Sequence, residues 1–135
     1  MSLPTFDADT LHQFTRAFEQ LFDAGDASAM TSYYTDDGYL MAEGMHPIRG
    51  HATIEAFWRT AIERAGRAGA RRTIELHEWE SSGEMGYALC TVTVAMPAAT
   101  VTVWDATIWR RDPQGSWRIA VDISTPLPPE HSPAA

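Results

Sequence analysis

Asp105 and Asp122 stand inside two runs that are otherwise apolar or weakly polar, Val101 to Trp109 and Trp117 to Ile123. Two carboxyl groups held close together in such company cannot both ionise cheaply. One keeps a proton and donates, the other accepts, and this is the arrangement acid–base chemistry needs. His77 and Glu75 alternate in a neighbouring run, and a histidine near carboxylates is the usual proton shuttle at physiological pH. His77, Glu75 and Asp105 are also metal-ligating residue types, but their spacing matches no recognised ligand pattern, so neither a metal nor a cofactor is expected. Cys90 is the only cysteine; flanked by apolar neighbours that raise a thiol pKa, it is expected to line a site and not to attack a substrate. Tyr34, Met41, Met45, Trp58, Trp79 and Trp109 have the flat or adaptable apolar side chains that suit a hydrophobic small molecule.

These residues need a scaffold, and the hydrophobic period supplies one. Leu11, Phe14, Ala17, Phe18, Leu21 and Phe22 share one face of a helix expected from Asp9 or Thr10 to Gly25. Asp26 reads as the cap of a short helix, Ala27 to Tyr33. Thr35-Asp36-Asp37-Gly38 turns into a strand from Tyr39 to Ala42, and a Gly44 to Pro47 hairpin turn follows. Ile54, Phe57, Trp58, Ala61 and Ile62 mark a third helix from Ala52 to about Arg67. From Arg72 the period becomes two, giving strands Arg72 to Ser81, Glu84 to Met96, Val101 to Arg111 and Ser116 to Ser124, with turns at Ser82-Gly83, Ala98-Ala99 and Pro113-Gln114. Arg64, Arg67, Arg71 and Arg72 cluster at the third helix end, where cations complement the helix dipole. Pro126 to Ala135 reads as a Pro-rich mobile tail beyond a single domain spanning residues 1–125.

If all three late connections are tight hairpins, counting outward from each turn assigns the faces. Asp105 then opposes Asp122, Thr107 opposes Ala120, and Trp109 opposes Arg118. The same face takes Val92, Cys90 and Ala88 from the second of the four strands and Thr73, Glu75, His77 and Trp79 from the first. Ile74, Leu76, Trp104, Ile108, Trp117, Ile119, Val121 and Ile123 fall on the other face.

Composition narrows the function classes. The chain has 135 residues, five tryptophans and a net charge of −8, an acidic balance that argues against partners made of phosphate, whether nucleic acid or anionic membrane. A lone cysteine allows no intrachain disulfide. The first seven residues have neither a basic region nor an apolar run, and no stretch approaches the ~20 apolar residues of a membrane span, so a cytoplasmic location is expected.

The series Phe14 to Asp26, Tyr34-Thr35-Asp36-Asp37, Ile48-Arg49-Gly50 running into Ala56-Phe57-Trp58, and Gly115-Ser116-Trp117-Arg118-Ile119 resembles the nuclear transport factor 2-like superfamily, in its branch of ketosteroid isomerases and SnoaL-like polyketide cyclases. The resemblance covers about Leu11 to Thr125 and implies an α+β, cystatin-like cone: three N-terminal helical segments packed on a curved, mainly antiparallel sheet with one internal pocket. It implies that Asp105 and Asp122 point inward, with Glu75, His77, Trp79, Cys90, Thr107, Trp109 and Arg118 around them. It also implies a cofactor-independent isomerase, cyclase or hydratase acting on a hydrophobic carbonyl compound. A non-catalytic ligand-binding or assembly domain is the alternative. A homodimer is implied through the convex face (Trp104, Ile108, Trp117, Ile119, Val121, Ile123). The isomerase tyrosine is Phe18 here, and the isomerase general base aligns with Ala42, beside Glu43. The Asp-Arg-Asp set of limonene-epoxide-hydrolase-like enzymes is not reproduced by Glu75 or Arg118.

Overall fold

In a computed structural model that describes residues 3–127, helix α1 runs from Ala8 to Ala24. Asp7, in extended conformation, starts it by accepting the Thr10 amide at 2.8 Å, the side-chain cap that satisfies an otherwise orphaned N–H. Gly25 ends it at φ 76°, a left-handed conformation that favours glycine. The short α2 (Ala27–Thr31) is capped by Asp26, which accepts the Ala29 amide at 3.0 Å. Helix α3 (His51–Ala68) closes on Gly69, also left-handed.

The strands are β1 (Tyr34–Met41), β2 (Ile48–Arg49), β3 (Arg71–Ser82), β4 (Met85–Ala95), β5 (Thr100–Arg111) and β6 (Trp117–Pro126). They form one six-stranded sheet in the order β2-β1-β6-β5-β4-β3, antiparallel except where β1 runs parallel to β6. The architecture is α+β. Strand β6 reaches Pro126, which pairs with Val103, and the Leu127 amide donates to Thr102. The expected tail therefore starts later than Pro126, and its remainder, residues 128–135, lies outside the described residues.

Leu11, Phe14, Phe18 and Phe22 on α1, Ile54 and Trp58 on α3, and Trp109, Trp117 and Ile119 on the sheet build the core between helices and sheet. Its rings meet edge to face: Phe14 against Trp109 at 5.0 Å and 89°, Phe18 against Trp58 at 5.3 Å and 83°, the geometry aromatic quadrupoles prefer.

The register departs from tight-turn counting in all three hairpins, and the β3–β4 turn is Gly83-Glu84, one position later than expected, with Ser82 opposite Met85. The β4–β5 turn is Pro97-Ala98, one position earlier than expected, with Met96 and Ala99 exchanging both backbone hydrogen bonds. Asp105 therefore sits beside Cys90 and Thr107 beside Ala88, a two-residue slip that keeps the faces. The β5–β6 loop spans Asp112 to Ser116, because the Asp112 carboxylate accepts the Gln114 and Ser116 amides and widens the turn. A bulge at Ala120 adds a second one-residue slip. The two slips together leave Asp105 and Asp122 on one face but diagonal, with Thr107 opposite Asp122 and Ser124 opposite Asp105.

Between that loop and the bulge, however, parity is reversed. Trp117 and Ile119, expected on the convex face, are 2% and 1% exposed in the core. Arg118 turns away and forms an ion pair with Asp112 at 2.9 Å. In β3 a bulge at His77 does the same: Leu76 pairs with Cys90 and Glu78 with Leu89. Arg72, Ile74 and Leu76 consequently face the helices, and Thr73, Glu75 and His77 face out.

Ile54 is fully buried, and truncating it leaves a void that rigid packing only partly closes. Ile54→Ala is expected to cost about 2–5 kcal/mol, whereas Val101→Ala, at the exposed start of β5, should stay within about 0.5 kcal/mol. Urea unfolding checks both, through a lower midpoint at unchanged slope for the first variant alone.

Candidate active site

The cone encloses connected spaces of unequal size. An inner void of about 30 Å³ lies between α1 and the sheet, room for water but not for an organic ligand. An outer chamber of about 170 Å³ shares Trp58, Arg72, Val92, Asp105 and Asp122 with it. Beyond, a groove of about 790 Å³ runs along α3 past Met45, Ile48, Phe57, Ala61 and Met96. Arg72 lines all three.

The polar groups meet where the void and the chamber join. Tyr34, at the start of β1 and fully buried, donates its phenol hydrogen to Asp122 Oδ2 at 2.6 Å. Trp58 Nε1 on α3 donates to the same phenol oxygen at 3.3 Å. Asp105 shares a hydrogen bond with Asp122. Protein surrounds Asp105, and the surface it retains faces the chamber. Burial pushes its carboxyl pKa well above the usual carboxylate range, and the charge of Asp122 and the shared hydrogen bond add to that, with the Arg72 guanidinium opposing. The pair therefore favours a single shared proton, and because the Tyr34 hydroxyl already donates to Asp122, Asp105 is the better placed of the two to keep it, with Asp122 accepting. The Tyr34 phenol is itself raised well above its ordinary value, by burial first and then by Asp122, so it remains a donor. Burial with Asp105 and Asp122 nearby pushes the Cys90 thiol up to about 12, which leaves it a neutral wall residue.

Of the residues singled out in the sequence, Tyr34, Met41, Trp58, Cys90, Thr107, Trp109, Asp105 and Asp122 are brought together at the void or the chamber. Trp109 Nε1 donates to Thr107 Oγ1 at 2.8 Å, which satisfies both inside the core. Met45 lines the groove instead, and four residues reach none of these spaces. His77 faces outward, bonded to Thr91 Oγ1 at 2.7 Å and beside Trp104; Glu75 is exposed on the same side. The bulge at His77 is the reason for both. Trp79 is 38% exposed toward the outer end of β3, and Arg118 is held at the β5–β6 loop by Asp112 and the Ser32 carbonyl.

Arg72 is the residue that sequence reasoning misses. Far from complementing a helix end in solvent, its guanidinium carbon lies 5.0 Å from the Phe22 ring centroid and 5.1 Å from that of Trp58. Burial lowers its pKa, and Asp105, Asp122 and Tyr34 act in the other direction. The alternation Arg72-Ile74-Leu76 against Arg71-Thr73-Glu75 carries the signal that these three share a buried face.

The model of the SnoaL-like domain matches residues 14–120. The chain belongs to the SnoaL-like domain family. Solved structures agree on the fold. An NTF2-like protein with a cystatin-like fold from Novosphingobium aromaticivorans is 19% identical, with a TM-score of 0.74 over 90% of this chain and 82% of that one. A cystatin-like domain of unknown function from Nostoc punctiforme is 13% identical, with a TM-score of 0.77 over 89% and 76%. A ketosteroid isomerase-like protein from Erwinia carotovora atroseptica is 19% identical, with a TM-score of 0.69 over 87% and 94%. No curated protein matches the chain. Among the described residues of this SnoaL-like domain, no group of three metal-ligating side chains comes together, and no helix is long and apolar enough to cross a membrane.

A carboxyl whose pKa is raised on folding binds more protons in the folded than in the unfolded chain between the two pKa values, so stability falls as pH rises through that window. For Asp105 the window opens near the unfolded value of about 3.9. Asp105→Asn keeps a donor toward Asp122 and removes the titration. The variant should gain stability relative to the parent as pH rises from about 4 toward neutrality, measured by urea unfolding of both proteins at each pH. A difference that stays constant across that range would contradict the assignment.

Proposed function

We propose that this SnoaL-like domain is a cofactor-independent enzyme that moves a proton on a hydrophobic, carbonyl-bearing small molecule, as an isomerase, cyclase or hydratase does. The observation that carries the reading is the pairing of Asp105 and Asp122, one holding a proton and one accepting, at the inner wall of an apolar chamber. Asp122, fixed by the Tyr34 hydroxyl, is the base that takes a proton from the carbon beside the carbonyl. Asp105, in its acid form, turns its one O–H from Asp122 to the oxygen on which negative charge develops, which frees Asp122 to take the proton and later return it to the product. A donor already in place in a dry site stabilises that charge without solvent reorganisation, and a carboxylic acid kept neutral by an apolar site is suited to the task.

The reading differs from steroid isomerisation in where the base sits. Phe18 lines the inner void as an apolar wall, Ala42 follows β1, and the base comes instead from β6. The ligand lies in the outer chamber and the groove, since the inner void is too small for it. Met41, Phe57 and Val103 supply apolar contact.

The test follows exchange of α-hydrogens for deuterium by NMR, in a panel of ketones and esters carrying apolar tails. The parent protein is expected to accelerate exchange in at least one member. Asp122→Asn should slow it by about 10²–10⁴-fold, the usual contribution of a positioned base, and Tyr34→Phe by a smaller factor with the fold intact. Unchanged exchange in Asp122→Asn would remove the carboxylate from the chemistry. Tight binding across the panel without any exchange would leave a ligand-binding domain.

A further inference from the structure

Arg72 is a half-buried cation whose side chain finds no oxygen acceptor. Its Nε is buried and without a partner, and its side chain makes no ion pair or hydrogen bond among the described residues. What holds it is aromatic: the rings of Phe22 and Trp58, at 5.0 and 5.1 Å, attract the guanidinium through their π faces. Those faces fix its position and leave its N–H groups without oxygen acceptors. Asp105 and Asp122 lie near enough to be felt as charge, yet Asp122 already accepts from Tyr34 and from Asp105. A buried charged donor left unpaired, as this Nε is, is costly and native proteins rarely keep one without a use; the rest of the guanidinium keeps access to the spaces it lines.

The location says what the use is. Arg72 borders the inner void, the outer chamber and the long groove at once, so whatever passes from the groove toward the carboxyl pair passes its guanidinium. The groove walls beyond it are mainly apolar, with Met45, Ile48, Phe57, Ala61 and Met96, and its other polar members are Arg64, Thr53 and Thr60; Arg64 borders neither the void nor the chamber where the carboxyl pair sits. A guanidinium presents its N–H groups as a planar fork that matches a carboxylate with two parallel bonds.

We propose that Arg72 is an anion subsite and that the ligand of the chamber is a hydrophobic molecule carrying a carboxylate, with its apolar tail in the groove along α3. The inference rests on the reading of the chamber as a small-molecule site and names the substrate class for it. The carboxylate docks on Arg72, which sets the neighbouring carbon and carbonyl against Asp105 and Asp122. The net charge of the chain is −8, so attraction of such an acid is local to the cations lining these spaces, of which Arg72 alone borders the carboxyl pair, and is not a property of the surface.

Isothermal titration with hexanoate, octanoate and phenylbutanoate, each beside its own primary amide, tests the subsite at neutral pH whatever the natural substrate is. The parent protein should bind at least one acid about tenfold or more tightly than its amide, the scale of a charge-assisted hydrogen bond. Arg72→Met should abolish that preference while still binding the amide, and Arg72→Lys should restore part of it. Acid and amide bound equally by the parent protein, or acid preference unchanged in Arg72→Met, would overturn the subsite and leave the chamber as a neutral apolar site. Failure of every acid to bind would overturn it as well. Asp122→Asn separates the two ideas, since it should keep the acid preference even where it removes exchange. An acid preference in a protein that exchanges no α-hydrogen would keep the subsite and end the proton-transfer reading.

Discussion

Three ionisable side chains that would prefer water, Asp105, Asp122 and Arg72, are enclosed in an aromatic cone, and the cost of their desolvation organises everything near them. Two carboxyl groups cannot both carry charge there, so they share a hydrogen bond and one of them keeps its proton. The acceptor of the pair is steadied by a tyrosine that burial keeps neutral. The cation is steadied by two rings that attract it without sharing an oxygen. Each group is tolerable because of the others, and replacing one changes what the remaining two must do.

The scaffold meets this constraint through irregularities more than through its regular elements. A bulge at His77 carries Arg72 to the inner face, and a bulge at Ala120, with the wide Asp112 to Ser116 loop, puts both Asp122 and Ile119 inside. Without either bulge the strand before it would present its other side, and the cone would lose its cation or its aromatic floor. The helices contribute walls, with α1 giving Phe14 and Phe18 and α3 giving Trp58, whose indole N–H reaches the Tyr34 hydroxyl.

Much of this is legible in the residues. Gly25, Asp26 and Gly69 mark helix ends because capping is local chemistry, although the first helix is capped by Asp7, a little before its expected start at Asp9 or Thr10, and the stripes of α1 and α3 predict their buried sides. The facing of Asp105, Thr107 and Trp109 also follows from alternation. His77, Glu75 and Arg118 are misplaced by counting from a turn, which carries every bulge error along the strand, and nothing local to His77 or Ala120 announces a bulge. Arg72 reads as a surface cation, since its burial is settled by Phe22 and Trp58, which belong to other elements of the chain. The family places a pocket and leaves its chemistry to the site, so the carboxyl pair, not the fold, carries the functional argument.

The most direct measurement is a pH titration of the aspartate side-chain carboxyl carbons by NMR. Asp105 is predicted to titrate well above the ordinary value of about 3.9, and to move part of the way back in Asp122→Asn, where burial remains but the neighbouring charge is gone. Titration of Asp105 in the ordinary range, indifferent to that substitution, would contradict a shared proton and with it the account of the site.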